Sequence, residues 1–293
     1  MNIELEPGKY ILAVSGGVDS MSLLDFLVKR GQTDIVVAHF NHNIREDSDL
    51  DEQLVQKAAT QLKLPLEIGR GNLGPDAGED EARQARYQFL NQVKEKHNAR
   101  AIVTAHHQDD LIETAFLNLL RGTYRRGLSA IADSDIVRPL LGIPKAEIIS
   151  YAKANRLEWC EDTTNSDTDY ARNYLRQNIL KNLKPAQRRV IIGNIERVAK
   201  INKNINREIA TISQTIETSG QIDRSSFIGL PHRVANELVA DLLRNAGFKD
   251  FDRKTVERLS LSLKTGRPNT EQPVKNGLKL KIGRKSAHFI TTD

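Results

Sequence analysis

The residues Ser15-Gly16-Gly17-Val18-Asp19-Ser20 carry the strongest chemical signal in the chain. Two glycines let backbone N–H groups approach an anion, and two serine hydroxyls add further donors. The six residues follow an apolar run at 10–14 and precede apolar positions at helical spacing over 21–27. Such a strand-to-helix turn puts the loop at a helix N-terminus, where partial positive charge favours phosphate. The spacing is not that of a Walker loop, because no Lys follows the glycines. An ordinary turn with Ser and Asp at a helix cap fits these residues too.

A second cluster is His106-His107-Gln108-Asp109-Asp110, with Glu113 and Thr114 beyond it. Asp109 and Glu113 are four apart, and Asp110 and Glu113 three apart, so the carboxylates gather at a helix start. Negative charge is favoured there by the helix dipole. A cap accounts for one Asp, but not for two His, two Asp and a Glu together. Oxygen ligands of this kind hold Mg2+ or capture a substrate ammonium; a buried His beside a cap is the plainer reading. His39, Asn41 and His42 close the second apolar run and suit a nucleotide base or ribose. Metal binding by the His pair, or plain loop polarity, are the other readings.

Basic residues form three further groups. Arg83 and Arg86, with Tyr87, lie on adjacent helical positions and suit a phosphate or carboxylate; a solvated basic face is the alternative. Arg121, Arg125 and Arg126 lie in a loop punctuated by Gly122 and Gly127, for which a phosphate or an RNA backbone is a natural partner; a helix C-cap followed by a solvated loop is the alternative. Arg172 and Arg176 are four apart on a predicted helix, where Asp162 of the Glu161-Asp162 pair could orient either.

These residues need elements to hold them. Strand-like runs at 10–14, 35–40, 66–68 and 101–105 alternate with helical patterns at 21–29, 49–62, 79–97 and 111–120. The alternation predicts an α/β fold, a doubly wound and mainly parallel sheet, with its ligand beyond the carboxyl ends of the strands. Residues 69–78 read as a Gly-rich loop on that side. Pro139 excludes helix at 138–141, and Pro144 reads as the first residue of a new helix. Ile191, Ile195, Val198, Ile201, Ile205, Ile209, Ile212 and Ile216 predict one long amphipathic helix. Helices near 235–245 and 254–263 and a terminal hairpin follow. The expected domains are a catalytic domain at 1–185, a linker helix at 186–220, and a small α+β domain at 221–293.

The chain has 293 residues, 39% of them hydrophobic, and no apolar run of membrane-spanning length. Its N-terminus has no signal-peptide core, so a cytoplasmic location is expected. Cys160 is the only cysteine, which excludes a disulfide, a Cys-Cys redox pair and a multi-cysteine metal site. Beside Trp159 it reads as a packed, inert thiol. A net charge of +5 is compatible with a polyanionic partner, and also with a solvated surface.

In their order, the 15–20 loop, His39-x-Asn41-His42, Glu81-x-Arg83-x-x-Arg86-Tyr87, the His106–Thr114 cluster, Arg121-Gly122, Arg138-Pro139-Leu140-Leu141, Glu161-Asp162 with Asn165, and Arg172-Asn173 with Arg176 closely resemble the tRNA(Ile)-lysidine synthase family of PP-loop ATP pyrophosphatases. The resemblance covers 10–180 and is weak over 225–290. Thr123-Tyr124-Arg125-Arg126, Ala115-Phe116 and Asn43-Ile44-Arg45 depart from the family's pattern.

The resemblance implies a Rossmann-like PP-loop fold and a ligase forming a carbon–nitrogen bond. ATP would activate C2 of cytidine 34 in a CAU anticodon, and free L-lysine would displace AMP. It implies ATP contacts at Ala13, Ser15, Gly16, Gly17, Val18, Asp19, Ser20 and His39, with Mg2+ at Asp19. Catalytic roles would fall to Asp19, His106, His107, Asp109, Asp110 and Glu113. Lysine would be held by Arg83, Arg86, Asp110 and Glu113, and tRNA by Arg121, Arg125, Arg126, Arg172 and Arg176. Compact relatives suggest a homodimer. A tRNA thiolase would need more cysteines, and an amidotransferase a glutaminase domain. An NAD synthetase would have no use for the basic second domain. A catalytically dead RNA-binding module would not need Asp19, Asp109, Asp110 and Glu113.

Overall fold

The computed structural model describes residues 3–31, 34–43, 48–71, 78–123, 125–129, 131, 136–160, 170–248, 251–275 and 277–291. The chain divides into two compact units, residues 1–199 and 200–293.

The first unit is built on a four-stranded parallel sheet. Its elements alternate along the chain: β1 (Lys9–Ala13), α1 (Val18–Arg30), β2 (Asp34–Asn41), α2 (Ser48–Gln61), β3 (Leu66–Arg70), α3 (Glu79–Lys96) and β4 (Ala101–Val103). The spatial order is β3-β2-β1-β4, so β1 lies between β2 and β4. Period-two alternation divides the strand side chains between two faces. Tyr10, Leu12 and Val37 pack with Leu23, Leu24 and Leu27 of α1 and Val55 and Ala59 of α2. Ile11, Val36, Ala38 and Ile102 pack with Leu90 and Val93 of α3. Helices on both faces make the sheet doubly wound, as the alternation predicts.

After β4 come α4 (Gln108–Leu120), α5 (Arg125–Leu128), α6 (Lys145–Ala154) and α7 (Tyr170–Tyr174). A π-helical turn at Leu175–Ile179 and a 3-10 turn at Leu180–Asn182 lead into α8 (Pro185–Ile216). The 138–141 segment is a turn, and Val137 bridges Val103 in parallel at the sheet edge. Pro144 is the N-cap of α6 rather than its first helical residue, so the helix starts at Lys145, one position later than the sequence suggested. Gly69 and Arg70 belong to β3 rather than to the loop; residues 72–77 lie outside the described residues.

The Ile stripe of α8 is interrupted. Ile191, Ile192 and Ile195 join a cluster with Leu111 and Ala115 of α4. Ile205, Ile209, Ile212 and Ile216 pack into the core of the second unit. Ile201, between these two sets in sequence, is half exposed.

The second unit holds β5 (Glu217–Thr218), β6 (Gln221–Asp223), α9 (Arg224–Ile228), α10 (His232–Asn245), α11 (Arg253–Thr265), β7 (Thr270–Pro273), β8 (Leu278–Ile282) and β9 (Ser286–Thr291). Its antiparallel sheet has the order β5-β6-β9-β8-β7, which contains the expected terminal hairpin. Phe227, Leu238, Leu243, Leu259 and Leu280 fill the core. Pro273 sits in an edge strand, where its missing N–H costs no ladder bond. Arg224 is buried and donates to the carbonyls of Leu263, Gly283 and Gly266.

Gly69 sets how closely α3 approaches the sheet. A Cβ there would lie 2.6 Å from Phe89 and 2.8 Å from Phe40. Gly69→Ala is therefore expected to destabilise the chain by about 1–3 kcal/mol through overpacking. Urea unfolding monitored by circular dichroism checks this, and an unchanged midpoint would refute it.

Candidate active site

The chain runs outward from β1 to β2 and β3, then crosses back to β4 on the other side of β1. This reversal opens a crevice at the carboxyl ends of β1 and β4. The loop after β1 is Ser15–Ser20, and the turn after β4 carries His106 and His107. The two strongest motifs therefore meet.

The first loop is held by its own polar groups. Ser20 Oγ donates to the Gly17 carbonyl (3.0 Å) and accepts the Ser15 N–H (3.1 Å), with the Ser15 hydroxyl 3.2 Å away. The Cys160 N–H donates to the Gly16 carbonyl (3.0 Å). Gly16 has φ +90°, and a Cβ there would meet Asp51 at 3.2–3.4 Å, so this position needs glycine on two counts. Gly17 caps α1 without a side-chain hydrogen bond. The first-turn amides of α1, beginning at Val18, are therefore donors suited to an anion. Ala13 ends β1 beside them. His39 is buried, its Nδ1 2.8 Å from the Val14 carbonyl, and its Nε2 has no partner among the described residues.

Asp19 lies in the first turn of α1, and both its oxygens accept from Lys145 Nζ, at 2.7 and 2.6 Å. Sequence reasoning missed Lys145. It stands 126 residues from Asp19 and opens α6, which docks on α1 through Tyr151 Oη to Asp25 (2.7 Å) and Lys29 to Asn155 (2.7 Å). The only local signal is its place just after Pro144.

His107 is the N-cap of α4. Its Nδ1 accepts the Asp109 N–H (3.2 Å), while Asp110 accepts the His107 N–H (2.9 Å). This is a capping box with an imidazole as the cap. A neutral His107 that accepts at Nδ1 carries its proton on Nε2, which lies 3.7 Å from Asp19 and 3.6 Å from Asp110. His106 places its Nδ1 2.8 Å from Thr104 Oγ1. Burial pushes its pKa down to about 4, with Arg138, Arg86 and Arg83 acting the same way and Asp110 opposing. His106 is therefore a neutral imidazole near pH 7. Arg83 and Arg86 stack over the Tyr87 ring at 4.9 and 5.2 Å. Arg138, its pKa lowered by burial, belongs to the same basic group.

The other acids of α4 have cationic partners. Asp109 pairs with Arg188 of α8. Glu113 is buried between Arg172 (3.1 Å) and Arg176 (2.5 Å). Burial raises its pKa, and the charge of Arg176 opposes that rise. Arg172 and Arg176, predicted as a separate group, thus converge on a residue predicted for lysine. Arg121 is exposed at the end of α4. Arg125 and Arg126 lie in α5, a helical turn closed by Asn118 donating to the Gly127 carbonyl (2.7 Å), rather than in an open loop. Ile44, Arg45, Tyr124, Glu161, Asp162 and Asn165 lie outside the described residues.

A further network lies at the ends of β2 and β3, and its Glu52 and Arg70 were not read from the sequence. Glu52 is buried and accepts from Arg70 (2.5 and 3.1 Å) and Asn41 (3.1 Å), which lowers its pKa chiefly through the Arg70 bond. Among the described residues no cluster of three or more His, Cys, Asp or Glu could hold a metal by itself. No described helix is long and apolar enough to cross a membrane.

His106 sets an acid limit on stability. Its pKa falls from 6.5 unfolded to about 4 folded, so below 6.5 the unfolded chain takes the proton first. Stability is therefore lost as pH falls from 6.5 toward 4, on the order of 3 kcal/mol in all. In urea melts across this range, His106→Asn should flatten the loss. Parallel curves for wild type and variant would exclude the assignment.

The sequence profile of a PP-loop domain family, ATP_bind_3, matches residues 2–183. A tRNA(Ile)-lysidine synthase of Thermotoga maritima is 38% identical over 192 residues, covering 61% of this chain and 46% of the relative. One from Anaplasma marginale is 34% identical over 230 residues, 74% of this chain and 48% of the relative. The chain spans about half the length of these curated relatives. A solved U34-tRNA thiolase from Methanococcus maripaludis, with its 4Fe–4S cluster, aligns at TM-score 0.57 and 17% identity, over 67% of this chain and 74% of that one. That likeness concerns the fold alone. With the 15–20 loop at the β1–β4 crevice and a profile match over most of the chain, the protein belongs to the PP-loop domain family.

Proposed function

We propose that the chain is a tRNA(Ile)-lysidine synthase. The observation that carries the reading is the meeting of the 15–20 loop with the start of α4, where Asp19 and Asp110 both lie within 4 Å of His107 Nε2. An anion cradle beside a carboxylate cluster suits an ATP-dependent step followed by attack of an amine. Similarity to curated tRNA(Ile)-lysidine synthases supports the specific acceptor.

In this reading the ATP phosphates lie on Ser15, Gly16, Gly17, Val18 and Ser20, with the nucleoside toward Ala13 and His39. The buried Nε2 of His39 accepts from a nucleoside N–H or O–H. Asp19 would be the protein ligand of a Mg2+ ion held with the phosphates, and the ion would supply charge neutralisation there. The C2 oxygen of cytidine 34 attacks the α-phosphorus and pyrophosphate leaves. The lysine ε-amine then attacks C2, and the bond from C2 to the AMP oxygen breaks. His106 and His107 act as hydrogen-bond donors to the α-phosphate, His106 as a neutral imidazole.

Only a neutral amine is nucleophilic, so one carboxylate must take its proton. Asp109 is engaged by Arg188, and Glu113 by Arg172 and Arg176. Among the described residues Asp110 has no Lys or Arg in ion-pair contact, so we assign it the lysine ammonium and the proton. Asp109 and Glu113 hold the surrounding cations in place, and Arg83 and Arg86 take the lysine carboxylate. Arg121, Arg125 and Arg126 contact the tRNA backbone, with Arg172 and Arg176 contributing charge that Glu113 partly offsets. The exposed Lys275, Lys281, Arg284 and Lys285 of the second unit extend this to a tRNA-binding domain. A homodimer belongs to the same reading.

The purified chain is expected to incorporate labelled lysine into tRNA(Ile) bearing CAU, forming AMP and pyrophosphate. Adenylation of a different acceptor without lysine incorporation would overturn the reading. Asp110→Asn keeps an acceptor for the His107 N–H. It should slow the lysine step about 100-fold or more while pyrophosphate release persists. Equal loss of both steps would remove Asp110 from the role of base. Neutralising Lys275, Lys281, Arg284 and Lys285 together should weaken tRNA binding and flatten its salt dependence; an unchanged slope would count against that contact.

A further inference from the structure

We propose that Lys145 is the phosphate-binding lysine of this site, supplied from α6 in place of the Walker lysine that the 15–20 loop lacks. In the free protein Asp19 holds it as a latch. The inference rests on reading that loop as a nucleotide-phosphate site, and adds a residue that no motif near the loop contains.

Three observations carry it. The loop itself contributes one charge, the acid Asp19, and no cation. An anionic phosphate chain would be repelled there unless a positive charge stands beside it. Second, Lys145 Nζ contacts both Asp19 oxygens at 2.6 and 2.7 Å, and this pair is not sealed: the side chains are 33% and 27% exposed. An ammonium that reaches the second residue of a helix stands beside that helix's first-turn amides, where an anion binds. Third, the backbone under Lys145 is fixed from two sides. The Gln108 N–H donates to the Ile143 carbonyl (3.1 Å), and Gln108 Nε2 to that of Gly142 (3.3 Å), which ties the segment to α4. Ile148 of α6 is fully buried against α1. The helix stays still, and only a flexible four-carbon stem turns.

The pair then works by exchange. When phosphate arrives, Lys145 leaves Asp19 for a phosphate oxygen, and Asp19 becomes available to the cation that accompanies the nucleotide. A lysine suits this better than an arginine, because its ammonium is a mobile point charge rather than a planar fork.

The test uses the full chain, inorganic pyrophosphate as probe and EDTA to exclude divalent ions, with affinities from calorimetry. Lys145→Met should weaken pyrophosphate binding about 10- to 100-fold, the span of a charge-assisted hydrogen bond. Lys145→Arg should retain most of the affinity. Asp19→Asn should bind pyrophosphate several-fold more tightly than wild type, because the latch and its repulsion are gone. Adenosine should bind all four proteins alike. A pair that merely shapes the loop gives a different pattern, in which Lys145→Met and Asp19→Asn weaken binding together. That result would overturn the proposal, as would unchanged pyrophosphate affinity in Lys145→Met or parallel loss of adenosine binding. Failure of the wild-type chain to bind pyrophosphate would reject the phosphate reading of the loop itself. Binding by wild type with no loss in Lys145→Met rejects only the role of Lys145.

Discussion

The parallel pairing of β1 with β2 on one side and β4 on the other is the constraint on which the site depends. Parallel neighbours force each connection to return over a face of the sheet, so every loop after a strand emerges at the same edge. Because the strand order reverses at β1, the loops after β1 and β4 stand at the same edge of neighbouring strands and border one crevice. The crevice therefore follows from strand order before any functional residue is considered. Gly16 follows from it too, since at that edge the chain must turn at φ +90° against Asp51.

Helix termini then supply the chemistry. α1 offers its first-turn amides without a side-chain cap, while α4 is capped by His107 and Asp110. The two starts have opposite chemistry: an open cap admits an external anion, and a filled cap holds side chains still. His107 is fixed at Nδ1 by its capping duty, and that duty aims Nε2 at Asp19 and Asp110. One hydrogen bond inside α4 thus orients a proton toward the neighbouring helix.

Much of the sheet was legible in the sequence, because buried strands at 10–14, 35–40 and 101–105 read as apolar runs between helical patterns. The site motifs were legible as clusters, since Ser15 to Ser20 and His106 to Glu113 are local. Their partners were not. Lys145 lies 126 residues from Asp19, Arg188 79 residues from Asp109, and Arg176 63 residues from Glu113. Nothing in local spacing marks such pairs, since an ion pair needs only opposite charge and a fold that brings it together. Glu113 shows the consequence: its spacing from Asp110 suggests a shared ligand, while the structure buries it against two arginines read as a separate group. The short strands β5 and β7 were unreadable for another reason. Two to four residues, most of them polar, carry no period to detect.

On the proposed function, the ion pairs also explain how one crevice could serve substrates of opposite charge. ATP would bring several negative charges, and lysine an ammonium. A bare cluster of carboxylates would repel the first, and a bare cluster of arginines the second. Here Asp19 is matched by Lys145, Asp109 by Arg188, and Glu113 by Arg172 and Arg176. The balance is local, so neither substrate meets a strong opposing field. Pairs differ in how readily they open. Breaking a deeply buried one strands an uncompensated charge at a cost of about 3–5 kcal/mol. That makes Glu113, 4% exposed, a fixed support. A pair whose two partners both keep some contact with solvent costs less to open. Asp19 and Lys145 are of that second kind, so a phosphate that replaces one partner, with its counter-ion replacing the other, meets little resistance. The difference in burial between the two pairs separates the part of the site that exchanges partners from the part that holds it in shape.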